Sequence, residues 1–383
     1  MSYGKLFRFV IWLTLVILSV VGCARVPAAV PAVEAPVATP TPVPPTVTPT
    51  PPPQPTLAPQ PEKPTPQPTV EFRTEWITST ALAGNLLGDP AERKMYVLLP
   101  PGYATSEKRY PVVFMMPGGS GSPDIIGWGV KSAMESLLRK GEIKDMIVVI
   151  PDGTNRLTGG YFLTSSTLGD YETYVTQDIV NYVDTHFRTL QVRDSRGIGG
   201  CSRGGASSMR LGFKYPNVFS VVATTGGEWD NSPDVWPTDV ARVQRLTKLP
   251  ESLTDLDDVL GAWVQMAAGA APDPDNPPFY AEMPFRIVDG QGEFAPEVVA
   301  KILDQDAAHE ARRYLQQPVR LRGIRIEHGK YDYTNAPSIH SFKQLLDDLG
   351  IEHEYVEVET AHCGYGWDAA ALKYLSDHLV FEE

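Results

Sequence analysis

From Gly197 to Ser207 the chain reads GIGGCSRGGAS, which sets Ser202 two places from Gly200 and two from Gly204. A serine in such a G-x-S-x-G frame suits nucleophilic attack on a carbonyl. Small residues on both sides let the backbone take a strained turn that exposes Oγ. The hydroxyl stays a weak nucleophile until a base takes its proton, and the base in turn needs a carboxylate to hold its tautomer. Downstream, Glu359 to Trp367 reads ETAHCGYGW, a histidine followed by glycines at 364 and 366 that allow it to turn inward. Two of the three cysteines, Cys201 and Cys363, stand beside this serine and this histidine. The serine pattern alone also describes a glycine-rich helix entry with an N-capping serine, so the surrounding elements have to decide.

Those elements alternate. Apolar runs at Met95–Pro100, Tyr110–Met116 and Asp145–Ile150 end in Pro/Gly turns and read as strands. Ser122-Pro123 caps a helix that reaches about Lys140, and Val175, Ile179, Tyr182, Val183 and Phe187 recur at helical spacing over Tyr171 to Arg188. Arg196 to Cys201 is a short strand, so Ser202 falls where a strand turns into a helix over Arg203 to Tyr215. Strands at Phe219–Thr224, Leu321–His328 and His353–Val358 follow, with helices at Ala336–Leu349 and Ala369–Leu379. Apolar strands alternating with helices imply an α/β fold with a mostly parallel sheet of about eight strands covered on both faces. Between about 227 and 318 the alternation lapses into a cap-like insert rich in Trp and Phe, with helices expected near Leu253–Ala268 and Ala295–Gln316.

Seven histidines compete for the role of base. His186 precedes the serine; His309, His340 and His378 fall in helical stretches, and His353 opens a strand. His362 occupies the loop after the last strand and is the candidate base, with His328 its rival. Asp332, in the loop after the penultimate strand, is the candidate acid; Glu228 or Asp230 would be the substitute. A tetrahedral intermediate needs two backbone N–H donors. Arg203 supplies one directly after the nucleophile, and Gly119 is the first choice for the other, since Pro117 has no N–H.

Here the chain resembles the esterase family that includes esterase D, enterochelin esterases, acetylxylan and feruloyl esterases, and mycolyltransferases. The resemblance rests on Tyr96-Val-Leu-Leu-Pro-Pro-Gly-Tyr103, Arg109-Tyr-Pro-Val-Val113, the serine motif, Leu321-Arg-Gly-Ile324 with Gly329 and Asp332, and Ala361-His362, in family order. It covers roughly Thr74 to Leu379. It implies an α/β-hydrolase fold and carries nucleophile, acid and base onto Ser202, Asp332 and His362. Pro117 departs from the histidine that often precedes the glycines in this family, and the first half of the insert matches poorly. The order Cys-Ser, Asp, His-Cys also resembles a tannase and fungal feruloyl esterase motif in which a disulfide ties serine to histidine. In that fold the two catalytic neighbours come within disulfide reach, so a Cys201–Cys363 bond is implied; two buried thiols are the alternative.

The amino-terminal residues do different work. Lys5 and Arg8 precede an apolar run from Phe9 to Val21, and Leu18 to Cys23 resembles the lipobox of bacterial lipoproteins. Residues 1–22 then read as a signal peptide, Cys23 as the lipidated residue, and 23–69 as a linker, with 70–383 the esterase domain. Of 36 prolines, 17 lie between Pro27 and Pro68; such a stretch cannot bury a core and could reach about 130 Å if extended. The expected location is extracytoplasmic, on a lipid-anchored stalk at the membrane. A net charge of −13 disfavours nucleic acid as a partner. No metal cluster or nucleotide fingerprint is visible, so no cofactor is expected. The reading is a serine esterase acting on an ester of carbohydrate or aromatic-acid type. An acyltransferase of the same fold and a non-catalytic binding lipoprotein are the alternatives.

Overall fold

The computed structural model describes residues 69–382. The expected signal peptide, Cys23 and nearly all of the linker lie outside the described residues. Eight strands form one sheet: β1 Glu71–Thr78, β2 Glu92–Leu99, β3 Val112–Met116, β4 Ile147–Pro151, β5 Arg196–Cys201, β6 Val221–Thr225, β7 Gly323–Gly329 and β8 Glu354–Val358. Their order is β1-β2-β4-β3-β5-β6-β7-β8. The pairings β1–β2 and β2–β4 are antiparallel and the others parallel. The α/β expectation is therefore met, with β1 an addition that the sequence reading did not place.

Alternation along each strand divides the core between two faces. Val113, Met115, Val148 and Ile150 pack with Met134, Leu372 and Leu375 under helices α1 (Gly127–Lys140) and α5 (Trp367–His378). Val112, Phe114, Met116 and Val149 pack with Met209, Phe213 and Phe342 under α2 (Arg203–Lys214) and α4 (Ala336–Asp348). On α2, buried Arg210 pairs with Glu172 and donates to the Phe162 carbonyl at 2.7 Å, which pins the helix that begins at Ser202. Burial raises the Glu172 carboxyl, but Arg210 and Lys214 outweigh it and hold the group down at about 2.

The insert differs most from expectation. Its first helix, α3, is Asp258–Ala270, and the long second helix is two, Pro296–Leu303 and Ala307–Tyr314. The break falls at Asp306, whose carboxylate accepts the His309 N–H at 2.8 Å and starts the second helix anew. A short helix, Pro237–Val243, and a hairpin of Phe285–Val288 with Gln291–Phe294 were not expected. The hairpin turns at Asp289-Gly290, with φ of 51° and 81°, the positive pair that a two-residue turn requires.

The insert tryptophans are core. Trp229, Trp236 and Trp263 are 0%, 5% and 2% exposed, and their indole N–H groups donate to the Gly205 carbonyl, the Asp230 carbonyl and the Asp239 carboxylate. They are thus packing residues and present no free stacking surface.

Candidate active site

Ser202 lies between β5 and α2 with φ 57° and ψ −131°, a conformation that costs a non-glycine residue about 1–3 kcal/mol. The surroundings impose it. Its N–H donates to the Thr225 carbonyl on β6 at 3.0 Å, and its carbonyl accepts from Ala206 at 2.9 Å in the first turn of α2. The motif glycines are needed for contact: a Cβ on Gly204 would overlap the Met116 carbonyl oxygen, and one on Gly200 would lie 2.7 Å from that same oxygen. Strand, turn and helix can converge on Ser202 only because both positions lack side chains.

Asp332 follows β7 and is 2% exposed. One carboxylate oxygen accepts the Asn335 N–H at 3.2 Å, and the other lies 2.7 Å from His362 Nδ1. Asn335 also donates to the Gly226 carbonyl at 2.8 Å, joining the acid's loop to the end of β6. His362 follows β8 with its side chain 41% exposed. Cys201 and Cys363 form a disulfide with their Cα atoms 5.9 Å apart, so the residues next to Ser202 and His362 are covalently joined across a separation of 162. The structure records the His362–Asp332 bond and none from the Ser202 hydroxyl to the ring. Such bonds are often long in unliganded sites and tighten with substrate.

The three alternatives named from the sequence are engaged in other contacts. His328 is 3% exposed, and its Nδ1 lies 3.0 Å from the Tyr355 hydroxyl rather than near Ser202. Glu228 takes a hydrogen bond from the Tyr161 hydroxyl. Asp230 is occupied with the Ser232 N–H and the Ser341 hydroxyl.

The expected oxyanion residues sit beside the serine. An added Cβ on Gly118 would be 2.6 Å from the Cys201 carbonyl and 3.1 Å from Ser202 Cβ, so this loop touches the turn at Ser202. Among the described residues neither the Gly118 nor the Gly119 N–H donates to a backbone carbonyl. The Arg203 N–H is in the first turn of α2, where helical N–H groups lack internal acceptors.

The structure also groups Arg203 and Glu228 with residues that sequence reading had missed, Tyr161 and Asp258. Tyr161, Arg203, Glu228, Asp258 and Trp263 line a cavity of about 100 Å³ beside the site. Burial pushes the Glu228 carboxyl up, partly opposed by the Arg203 charge. Tyr161 lies in the loop after β4, at the carboxyl end of a strand, which is the signal that would have marked it.

The hydrogen bond to Asp332 raises the His362 pKa above the ordinary imidazole value; burial works against it, and the Asp332 and Glu228 charges add to it. A base must be neutral to accept a proton. If His362 acts as the base, kcat/KM should fall tenfold per pH unit below a limb set above the usual imidazole value near 6.5. In Asp332→Asn that limb should move to lower pH. A pH profile of ester hydrolysis checks both, and an unmoved limb would exclude His362 as the titrating group.

A mostly parallel sheet in this order, with a strained serine between β5 and its helix, defines an α/β-hydrolase. The family model described as "Putative esterase" matches residues 90–282, about half of the chain, and the chain belongs to that family. An esterase of Mycobacterium tuberculosis is 29% identical over 189 residues, 47% of this chain and 38% of that protein. The match thus spans well under half of that relative's length. Among solved structures, a ferulic acid esterase superposes with a TM-score of 0.57 at 16% identity, covering 82% of this chain and 100% of its own. FphF, a fluorophosphonate-binding serine hydrolase of Staphylococcus aureus, gives 0.53 at 13% identity, covering 81% and 98%. At these identities the two structures speak for the fold.

Proposed function

We propose that the protein is a serine carboxylic-ester hydrolase in which Ser202, His362 and Asp332 form the triad and the Gly119 and Arg203 N–H groups hold the oxyanion. The observation that carries the reading is the 2.7 Å His362–Asp332 bond in a loop disulfide-linked to the neighbour of a strained serine. His362 takes the Ser202 proton as Oγ attacks the ester carbonyl, and the negative oxygen is held by backbone donors. His362⁺ then protonates the departing alcohol. Water, deprotonated by the same ring, releases the acid and restores Ser202.

The substrate class we favour is an ester of an aromatic acid or a carbohydrate. The likeness to a ferulic acid esterase supports this, as do Tyr333 and Tyr365, close in the chain to Asp332 and His362 and 76% and 102% exposed. Flat, open rings of this kind suit stacking by an aromatic acid or a sugar. The lipobox-like Leu18–Cys23 and the proline-rich linker support an extracytoplasmic, lipid-anchored setting. Among the described residues no helix is long and apolar enough to cross a membrane.

A fluorophosphonate probe tests the reading. The expected result is one covalent adduct, mapped by peptide mass to Ser202, with loss of hydrolysis of acetyl and feruloyl test esters. A protein that hydrolyses esters while its adduct maps elsewhere would overturn the assignment.

A further inference from the structure

We propose that the Arg203 side chain is a positioning residue that ties the insert to the oxyanion hole, so that the insert helps set the rate of the chemical step. The inference rests on the mechanism proposed above and concerns the guanidinium, not the Arg203 backbone donor.

The loop that carries the second donor, Pro117-Gly118-Gly119, has few means of holding itself. Its two glycines have no side chains to pack, and Gly119 stands at φ 54°. A bond from Gly121 N–H to the Gly118 carbonyl closes a turn at 2.9 Å but leaves the next peptide free to rotate. That peptide is held from outside. Arg203 Nη1 donates to the Gly119 carbonyl at 3.1 Å, which fixes the Gly119–Ser120 peptide and with it the place of Gly119, whose own N–H lies in the preceding peptide. The Arg203 backbone N–H is the first donor; its side chain reaches back to the residue that carries the second.

The same guanidinium continues into the insert. Nη2 donates to the Asp258 carboxylate at 2.8 Å and to the Asp258 carbonyl at 3.3 Å, at the first residue of α3. Arg203 is only 6% exposed and lies over the Tyr161 ring at 5.3 Å, whereas the Asp258 side chain is 87% exposed. An ion pair with so exposed a carboxylate contributes little, so it does not explain burying a guanidinium there. Two diverging acceptors on separate elements do explain it, since the planar fork of arginine can serve both and an ammonium cannot. Asp258 and Arg203 also line one cavity together with Tyr161 and Glu228, so the link between insert and loop faces open space.

Arg203→Met, Arg203→Lys and Asp258→Ala test this with three readouts: kcat, KM, and inhibition by an aryl trifluoromethyl ketone, whose adduct is tetrahedral. Arg203→Met should lower kcat by about 10- to 100-fold, short of the loss of a whole oxyanion donor, while KM changes little. Ketone affinity should fall in step with kcat/KM. Arg203→Lys should remain low despite keeping the charge, and exposed Asp258→Ala should lose about two- to five-fold in kcat. Full activity in Arg203→Lys, or a loss confined to KM, would overturn the bridge. If Arg203→Met fails to fold, an Asp258→Ala variant with unchanged kcat and ketone affinity would overturn the link to the insert. A wild type that neither hydrolyses esters nor labels at Ser202 would remove the esterase reading itself, a result separable from either.

Discussion

Ser202→Ala and His362→Ala are each expected to lower kcat by about a million-fold, and the double variant by no more than either alone. The reason is geometric. Oγ is a poor nucleophile without the ring, and the ring has nothing to activate without Oγ, so removing either ends the same step. Residual catalysis above the uncatalysed rate, of about 10³–10⁴, should persist in all three variants, because the proposed Gly119 and Arg203 backbone donors survive these substitutions. Saturating ester hydrolysis, followed alongside circular dichroism to verify folding, measures it. A double variant losing the product of the single effects would mean that the two side chains act in independent steps, and the triad would have to be redrawn.

Separating Cys201 from Cys363 should be the next most damaging change. The bond closes a loop of 162 residues, and in the chain-entropy model its loss frees the unfolded chain by up to about 5 kcal/mol, a large share of the 5–15 kcal/mol typical of folded proteins. Its effect on activity follows from position. Cys201 is 3% exposed at the end of β5, whereas His362 hangs in a loop whose ring is 41% exposed. The disulfide ties that loop covalently to the turn at Ser202. A Cys201→Ala, Cys363→Ala protein should therefore unfold at markedly lower denaturant and lose kcat more than it gains KM. Thiol titration of unreduced, denatured protein should find neither cysteine. Two reactive thiols beyond that of Cys23, or a double variant with unaltered kcat, would show that the bond does not position the base.

Much of this site was legible before any coordinates. Arg196–Cys201 is a strand with the expected bounds, and its helix starts at Arg203, because a strand–Gly-x-Ser-x-Gly–helix passage is written in adjacent residues. Chain order and loop position led to Asp332 and His362, and the structure brings these two together. Strand β1 escaped because EFRTEWIT mixes charge with apolar residues at an edge that buries only Ile77 fully. The hairpin escaped although its Asp289-Gly290 turn was in view, since its strands are only four residues each.

The sequence by itself determined the α/β class and the strained serine turn, because each is signalled by residues close together in the chain, and it reached Asp332 and His362 as candidates through chain order and loop position. Only the tertiary structure decided where the guanidinium of Arg203 reaches, that Tyr161 holds Glu228, and that the insert's tryptophans are core. The Arg203 and Tyr161 contacts join residues 55 to 84 positions apart. A long side chain's partner depends on which loops the packed sheet brings to the same end, and no local pattern encodes that.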